Sequence, residues 1–203
     1  MLAYLFFVVL SLGLFSPIFA IFITGTIEGA TLRTVGFALA IYGISKSILQ
    51  IPTARFLDRH HGERDDFYAL IIGAAVAFVY PFSLLFISKI WHLYTLEIFA
   101  GLGDAALMAA YYSLFARHVD KGSEGFEWSL FSVGGLTISS AIGGAIGGIL
   151  GDIFGFKILF LISGIINSLV LFVLFSLYPL LDGTRPVALP HFTPIPKNPA
   201  TKQ

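Results

Sequence analysis

The sequence of 203 residues contains no cysteine and few charged residues. Without cysteine there can be no disulfide and no thiolate metal site. Lys and Arg number 12, Asp and Glu number 12, and together they make up 12% of the chain, so the formal net charge is zero. A soluble domain usually carries about twice that share of charged residues, and a nucleic-acid-binding protein usually carries a basic excess. The composition argues against both classes.

Motifs for catalysis and cofactor binding are also missing. None of the five histidines stands four residues from another, the spacing that places two ligands of one metal on a helix face. The sequence has no His-Glu-x-x-His, no Gly-x-Ser-x-Gly and no phosphate-binding Gly-x-x-x-x-Gly-Lys. We therefore predict no metal, no cofactor, no built-in ATP coupling and no enzymatic activity.

Apolar residues are abundant, at 57% of the chain. The charges are bunched. The length of each apolar stretch between the bunches is about 20 residues, which is the length that a helix needs to cross hydrocarbon. We predict an all-α membrane protein whose residues 1–181 form a six-transmembrane-helix bundle, with spans near 3–24, 34–56, 68–88, 93–116, 128–151 and 157–179. Residues 182–203 contain five prolines, so we expect a flexible tail there rather than a helix.

The distribution of Lys and Arg predicts the orientation, because cytoplasmic ends collect these residues. With the N-terminus inside, eight basic residues lie at inner ends and three lie at outer ends. The inner group is Arg55, Arg59, Arg64, Arg117, Lys121, Arg185, Lys197 and Lys202. The outer group is Arg33, Lys89 and Lys157. We therefore predict a multi-pass protein of the cell membrane with both termini, including the proline-rich tail, in the cytoplasm.

Two turns in the chain resemble each other. The turn after span two contains Asp58, then Gly62, then a basic residue two positions further on. The turn after span five contains Asp152, then Gly155, then Lys157 in the same order. The two turns are about half a chain apart and on opposite sides of the membrane. This pattern predicts an inverted 3+3 helix repeat, as in many secondary transporters, with a chance match as the alternative.

Four stretches together resemble the major facilitator superfamily (MFS). They are Asp58-Arg59-x-x-Gly62-x-Arg64, Glu97-x-x-x-Gly101-x-Gly103, Gly143-Gly144-x-x-Gly147-Gly148 and Asp152-x-x-Gly155-Phe156-Lys157. They resemble, in order, the family's loop after the second helix, its fourth-helix pattern, its glycine-rich fifth helix and the turn that follows. The resemblance covers residues 1–180 and implies a transporter.

The chain also departs from the family pattern. Ala54 stands where the loop motif begins with Gly, and one extra residue precedes Gly62. Glu97 stands where the family often has Arg, which reverses the charge. The family usually has two six-helix halves, whereas this sequence supplies one. We therefore expect a parallel homodimer of two halves around a shared site. The alternatives are pairing with a different half and a truncated product.

Lys46 is the most informative single residue, because a charge near the middle of a span is costly and usually functional. Tyr42, Lys46 and Gln50 share one face of span two, and Glu97 and Asp104 share one face of span four. A rise of about 1.5 Å per residue puts Lys46 and Asp104 at similar depth. We predict a pair that breaks and forms as substrate or a proton binds. The alternatives are a static pair and a Lys46 that extends to an interface.

The resemblance implies a gating role for the loop that contains Asp58, Arg59, Gly62 and Arg64. We expect Asp58 to accept hydrogen bonds from a helix N-terminus of the partner half, where the helix dipole favours an anion. The alternative is that the arginines only anchor the chain at the cytoplasmic face. The remaining acids near the span ends are interpreted as hydrated charges: Asp65, Asp66, Asp120, Glu124 and Glu127.

Small residues recur every four positions in span five, which lets helices approach closely. They are expected to form either a packing surface within the chain or a dimer seam. The residues are Gly143, Gly144, Gly147, Gly148 and Gly151.

The preferred function is secondary active transport of a small solute by alternating access, with proton coupling as an option and the lipid bilayer as the other partner. The single Lys46 weakly favours an anionic or amphipathic solute. The alternative is a non-transporting membrane scaffold built on a transporter half. No nucleic-acid partner is expected.

Overall fold

The computed structural model describes residues 2–60 and 63–177, and the regular structure within these ranges is entirely helical. The helices are α1 (Leu2–Gly13), α2 (Phe19–Thr26), α3 (Leu32–His60), α4 (Glu63–Leu84), α5 (Ile90–His118), α6 (Glu124–Leu130) and α7 (Ser139–Leu177). A 3₁₀ turn, Ser16–Ile18, joins α1 to α2, and a π-helical stretch, Phe131–Ile138, joins α6 to α7. The predicted tail at 182–203 and the motif residue Gly62 lie outside the described residues.

Five helical stretches in the described residues are long and apolar enough to cross a membrane. The first, Leu2–Thr26, includes α1, the 3₁₀ turn and α2. Pro17 lies in that turn, where its missing N–H and fixed φ interrupt the regular helix. The all-α membrane fold predicted from the sequence is thereby confirmed.

The fifth stretch is too long to be one crossing. Residues Glu124–Ser176 form a mostly apolar helical stretch of 53 residues, about 80 Å long if straight, against about 30 Å of hydrocarbon. Gly155 interrupts this stretch with φ of 73° and ψ of 176°. That backbone conformation is open to glycine but strained for other residues, so a turn is built into the chain at this point.

Contacts with the first span demonstrate that the chain reverses at Gly155. Before the turn, the pairs in contact advance together along both segments: Leu10 with Gly143, Leu14 with Gly147 and Ile18 with Gly151. After the turn, they advance in opposite directions: Ser11 with Ser163, Phe15 with Phe160 and Phe22 with Phe156. The two parts of the stretch are therefore antiparallel. Counted separately, they bring the described residues to six helical segments of crossing length, called here crossings one to six.

The helix packing agrees with an internal repeat of three plus three crossings. The second crossing (α3) packs on the fourth (α5). The fifth crossing, up to Gly155, packs on the first. In a 3+3 repeat, crossings one, two and three correspond to crossings four, five and six. The pair formed by crossings two and four therefore corresponds to the pair formed by crossings five and one.

Two aromatic-rich clusters form the core. One contains Tyr111, Phe115 and Phe131 and lies at the end of the bundle where α3 and α5 finish. That end also carries Arg55, Arg59, Arg64 and Arg117, and we call it the arginine-rich end. The other cluster lies at the opposite end and is built around Phe15, Phe22 and Phe160, with Phe22 and Phe160 rings 4.8 Å apart. On the outer surface of the bundle, large apolar side chains such as Leu169 and Phe172 are 61% and 70% exposed, as expected for a surface in lipid.

Candidate functional site

A cavity of about 300 Å³ lies between the two core clusters. It is partly open, and its lining comes from α1 to α5 and the 3₁₀ turn. Most of its lining is aliphatic or aromatic, including Phe15, Phe19, Tyr42 and Tyr80. Two carboxylates, Glu97 and Asp104, also line it. A mostly apolar cavity with a few convergent polar groups is the usual form of a small-molecule site.

Gly101 brings α3 and α5 together at this cavity. A Cβ at Gly101 would lie 2.5 Å from the carbonyl oxygen of Tyr42 and 2.9 Å from Cβ of Ser45. Only a residue without a side chain allows backbones this close. Asp104 lies three residues further along α5, so its carboxylate faces the same part of α3.

The predicted neighbours Lys46 and Asp104 are in contact. Lys46 Nζ lies 2.5 Å from Asp104 Oδ2, and the side chains are 29% and 22% exposed. Tyr42 Oη donates a hydrogen bond of 2.6 Å to the same carboxylate oxygen. The charge of Lys46 is therefore balanced locally, and Asp104 has both a cationic and a neutral partner.

Glu97 is the other carboxylate of the cavity, two helical turns from Asp104 on α5. Its residue is only 3% exposed. Tyr80 Oη, from α4, donates a hydrogen bond of 2.8 Å to Glu97 Oε1. Gly73 and Gly103 allow the close approach of α4 and α5 that positions Tyr80, since a Cβ on Gly73 would lie 2.6 Å from the Gly103 oxygen. Among the described residues, no cation pairs with Glu97.

This arrangement removes the physical basis for expecting an anionic solute. The expectation rested on Lys46 as an available cation. Lys46 is paired with Asp104, and the cavity lining includes Glu97 and Asp104 but no Lys or Arg. The cavity wall of the described residues is thus acidic rather than basic.

Among the five substrate- or ion-coupling candidates, Gln50 is the one that the structure places away from this cluster. It lies one turn beyond Lys46 on α3, is half-buried, and is not part of the cavity lining. Tyr42, Glu97 and Asp104 all line the cavity, and Lys46 contacts the lining through Asp104.

At the arginine-rich end, Asp58 and Arg59 are exposed near the end of α3, and Arg64 is exposed at the start of α4. A different acid is buried there. Asp66 is fully buried and lies 2.6 Å from Arg117 Nη1. The prediction that Asp66 is a hydrated charge was wrong, because its buried side chain on α4 forms an ion pair with Arg117 on α5.

The sequence contains a signal for this burial. Asp66 stands four and seven residues before Leu70 and Gly73. Both of those residues face the bundle interior, and residues at this spacing share a helix face. The spacing identifies the face of Asp66, but the partner on another helix cannot be read from it.

The glycine face of span five is used inside the chain at its centre. Cβ atoms at Gly143 and Gly147 would clash with the backbone carbonyl oxygens of Leu10 and Leu14, respectively. These two glycines therefore pack against the first span, which is the first of the two expected roles. Gly151 is close to Ile18, at 3.2 Å from its Cδ1, and Gly144 is near Pro17, at 3.9 Å from its Cγ. Gly148 has no atom within 4 Å of a built Cβ.

A buried polar network joins the first and sixth crossings and was not identified from the sequence. Ser11 and Ser163 hydroxyl oxygens are 2.6 Å apart, and Asn167 Nδ2 donates a hydrogen bond of 2.7 Å to Ser11 Oγ. Each serine hydroxyl also lies 3.1 Å from the other residue's carbonyl oxygen. Polar side chains bonded across helices stabilise packing in lipid.

The sequence of this chain matches the Major Facilitator Superfamily over residues 1–202. The chain therefore belongs to this family of membrane transporters, and the resemblance found in its motifs is confirmed. No curated protein and no solved structure matches the chain. Family membership, the apolar helices and the cavity together define a multi-pass membrane protein of a transporter family.

Proposed function

We propose that this chain is a secondary active transporter that moves a small solute by alternating access, with its site in the cavity between the core clusters. The observation that supports this most is the group of Tyr42, Lys46, Glu97 and Asp104 around a cavity in the middle of the helices. Ionisable groups at this depth are costly and are usually retained for function. A static scaffold would be expected to lose them.

The proposed working element is the Lys46–Asp104 pair. Both side chains are still partly exposed, at 29% and 22%, and Asp104 lines the cavity, so a solute or a proton in the cavity can reach the pair through Asp104. Solute binding or protonation of Asp104 would release Lys46 and loosen α3 from α5. This is a local change of charge that biases a movement of whole helices.

A second half is proposed to complete the site. Of the 18 most apolar consecutive residues of α3, only 17% are buried, the smallest share among the five helical stretches. Ile44 and Ile48 on α3 are 60% and 68% exposed, beside the partly exposed Lys46. A charged group next to such a face needs protein or water rather than lipid around it. We propose that a second copy in the same orientation covers this face, as a parallel homodimer.

Transport is tested with purified protein in proteoliposomes, measuring uptake of a solute panel with and without a proton gradient. Lys46→Met should reduce uptake at least tenfold and alter its dependence on the gradient. Lys121→Met, at an exposed position between α5 and α6, should leave both unchanged. Unaltered uptake and gradient dependence in Lys46→Met would show that the pair is only a structural link. Absence of uptake for every solute class would favour the scaffold.

The homodimer is tested separately by crosslinking, for which the absence of native cysteine is an advantage. A single cysteine at Ile44 should form a disulfide-linked dimer in native membranes. A single cysteine at Ile165, 55% exposed on the sixth crossing, should not. A chain that stays monomeric with cysteines along the exposed face of α3 contradicts the homodimer and favours pairing with a different half.

A further inference from the structure

We infer that the cavity selects a compact organic cation with an apolar or aromatic body, and that Glu97 is the residue that determines this selectivity. The inference rests on the proposed transport function for its biological role, but it concerns binding and can be tested without transport. It is carried by the charge balance of the cavity, by the aromatic lining and by the cavity size.

The charge balance of the cavity leaves Glu97 as its unmatched acid. The charge of Asp104 is balanced by Lys46 at 2.5 Å. Glu97, by contrast, is 3% exposed and accepts one hydrogen bond, from the neutral hydroxyl of Tyr80. A buried carboxylate without a cation is unfavourable, because burial removes its hydration. A cationic solute would restore the balance, whereas an anionic solute would add a second negative charge beside it.

The walls next to Glu97 suit the body of such a solute. Phe15 and Tyr80 have ring centroids 6.0 Å apart, and both line the cavity. Phe19 and Tyr42 add two more aromatic rings to the lining. Aromatic faces attract organic cations through the ring quadrupole, most strongly where water is excluded. The same rings and the aliphatic residues beside them favour an apolar body over a sugar or a hydrophilic ion.

The volume limits the solute. About 300 Å³ is at the lower end of the range, about 300 to 1,000 Å³, of small-molecule pockets. A single substituted aromatic ring with a small cationic group fits in this volume.

The test measures equilibrium binding to the purified protein in nanodiscs, by calorimetry or dialysis. The probe is benzyltrimethylammonium, with benzyl alcohol as the neutral comparison and benzenesulfonate as the anionic one. The cation should bind at least tenfold more tightly than either comparison. Equal affinity for the cation and benzyl alcohol, or tighter binding of benzenesulfonate, would overturn the inference.

Three variants connect the selectivity to Glu97. Glu97→Gln keeps the size of the side chain and an oxygen for the Tyr80 hydroxyl, and it should lower cation affinity at least tenfold without changing benzyl alcohol binding. Tyr80→Phe removes the hydrogen bond but keeps the carboxylate, and cation affinity should stay within about threefold of the wild type if the charge dominates. Glu28→Gln, an exposed acid outside the cavity, is the matched control and should change nothing. Wild-type cation affinity in Glu97→Gln refutes the role of Glu97.

The outcome for binding and the outcome for transport are distinguishable. Cation binding that depends on Glu97, together with no flux in proteoliposomes, supports the ligand class and refutes the transporter. Flux of another solute class together with no cation binding supports the transporter and refutes the ligand class.

Discussion

The close contact of α3 and α5 at Gly101 leads to a quantitative prediction about the site. Gly101→Ala adds one methyl group that would lie 2.5 Å from the Tyr42 carbonyl oxygen, 2.9 Å from Ser45 Cβ and 3.0 Å from Lys46 N. Real Cβ atoms essentially never approach another atom within 3.0 Å. Two of the three neighbours are backbone atoms, which cannot rotate away, so α3 and α5 must move apart.

The expected cost follows from overpacking. Inserting a methylene into a packed core costs about 1–3 kcal/mol, and the better helix propensity of Ala over Gly offsets about 1 kcal/mol of this at most. Relative to an alanine introduced at an unhindered helix position, Gly101→Ala should cost about 1–3 kcal/mol. We therefore expect it to lower the free energy of unfolding by about 0–2 kcal/mol. The same separation lengthens the contacts of Asp104 with Tyr42 and Lys46. Transport activity should therefore fall even under conditions in which the variant stays folded.

Gly43→Ala is the matched control, since Gly43 lies on α3 one residue from Tyr42 and has no atom within 4 Å of a built Cβ. Its unfolding free energy should stay the same or rise by up to about 1 kcal/mol. Titration of both variants with sodium dodecyl sulfate in mixed micelles, followed by far-ultraviolet circular dichroism, measures the difference. Equal stabilities for the two variants would falsify the close-packing argument.

Two further predictions concern buried polar groups. Asp66→Asn should destabilise the bundle by about 1–3 kcal/mol in the same titration, because Arg117 loses its charged partner but keeps part of its hydration. The control Asp65→Asn, at the neighbouring half-buried position, should have an effect below about 0.5 kcal/mol. A larger effect of Asp65→Asn than of Asp66→Asn would refute the buried pair. Ser11→Ala should cost about 1–3 kcal/mol, because it leaves the Asn167 side-chain amide without its acceptor. Ser168→Ala should be nearly neutral, because the Ser168 hydroxyl donates to the Ile165 carbonyl of its own helix. Equal effects of the two substitutions would argue against the network.

The sequence was sufficient for those parts of the fold that depend on one helix at a time. Apolar length predicts helices that cross a membrane, because each must satisfy its backbone internally in lipid. The start of α4 illustrates the limit of this approach. The predicted span began at residue 68, whereas the helix begins at Glu63. The predicted start was too late because the first residues of α4 are charged. Asp66 can nevertheless lie within the bundle, because Arg117 on α5 pairs with it.

The site could be predicted only where two residues were each unusual on their own. Lys46 and Asp104 are charges inside apolar spans, so their depths could be compared. Glu97 was noted for its charge, but Tyr80, its hydrogen-bond partner, looks like any other aromatic residue in a span. The serine and asparagine network is similarly hidden, because Ser11 and Asn167 are 156 residues apart and neither is unusual in its own helix.

Whether the cavity is reached alternately from the two sides of the membrane can be measured through the accessibility of Ser16. This residue lines the cavity and is exposed in the 3₁₀ turn between α1 and α2. Because the chain has no native cysteine, Ser16→Cys gives a single, nearly isosteric label site. A membrane-impermeant maleimide is applied to right-side-out and to inside-out vesicles, with a cysteine at Ile165 as the lipid-facing control.

Alternating access predicts that the cysteine at position 16 is labelled in both vesicle orientations, with a ratio that shifts when solute or a proton gradient is added, while the control at position 165 stays unlabelled. Labelling from one side only, under every condition, would contradict the transporter and leave a static membrane protein.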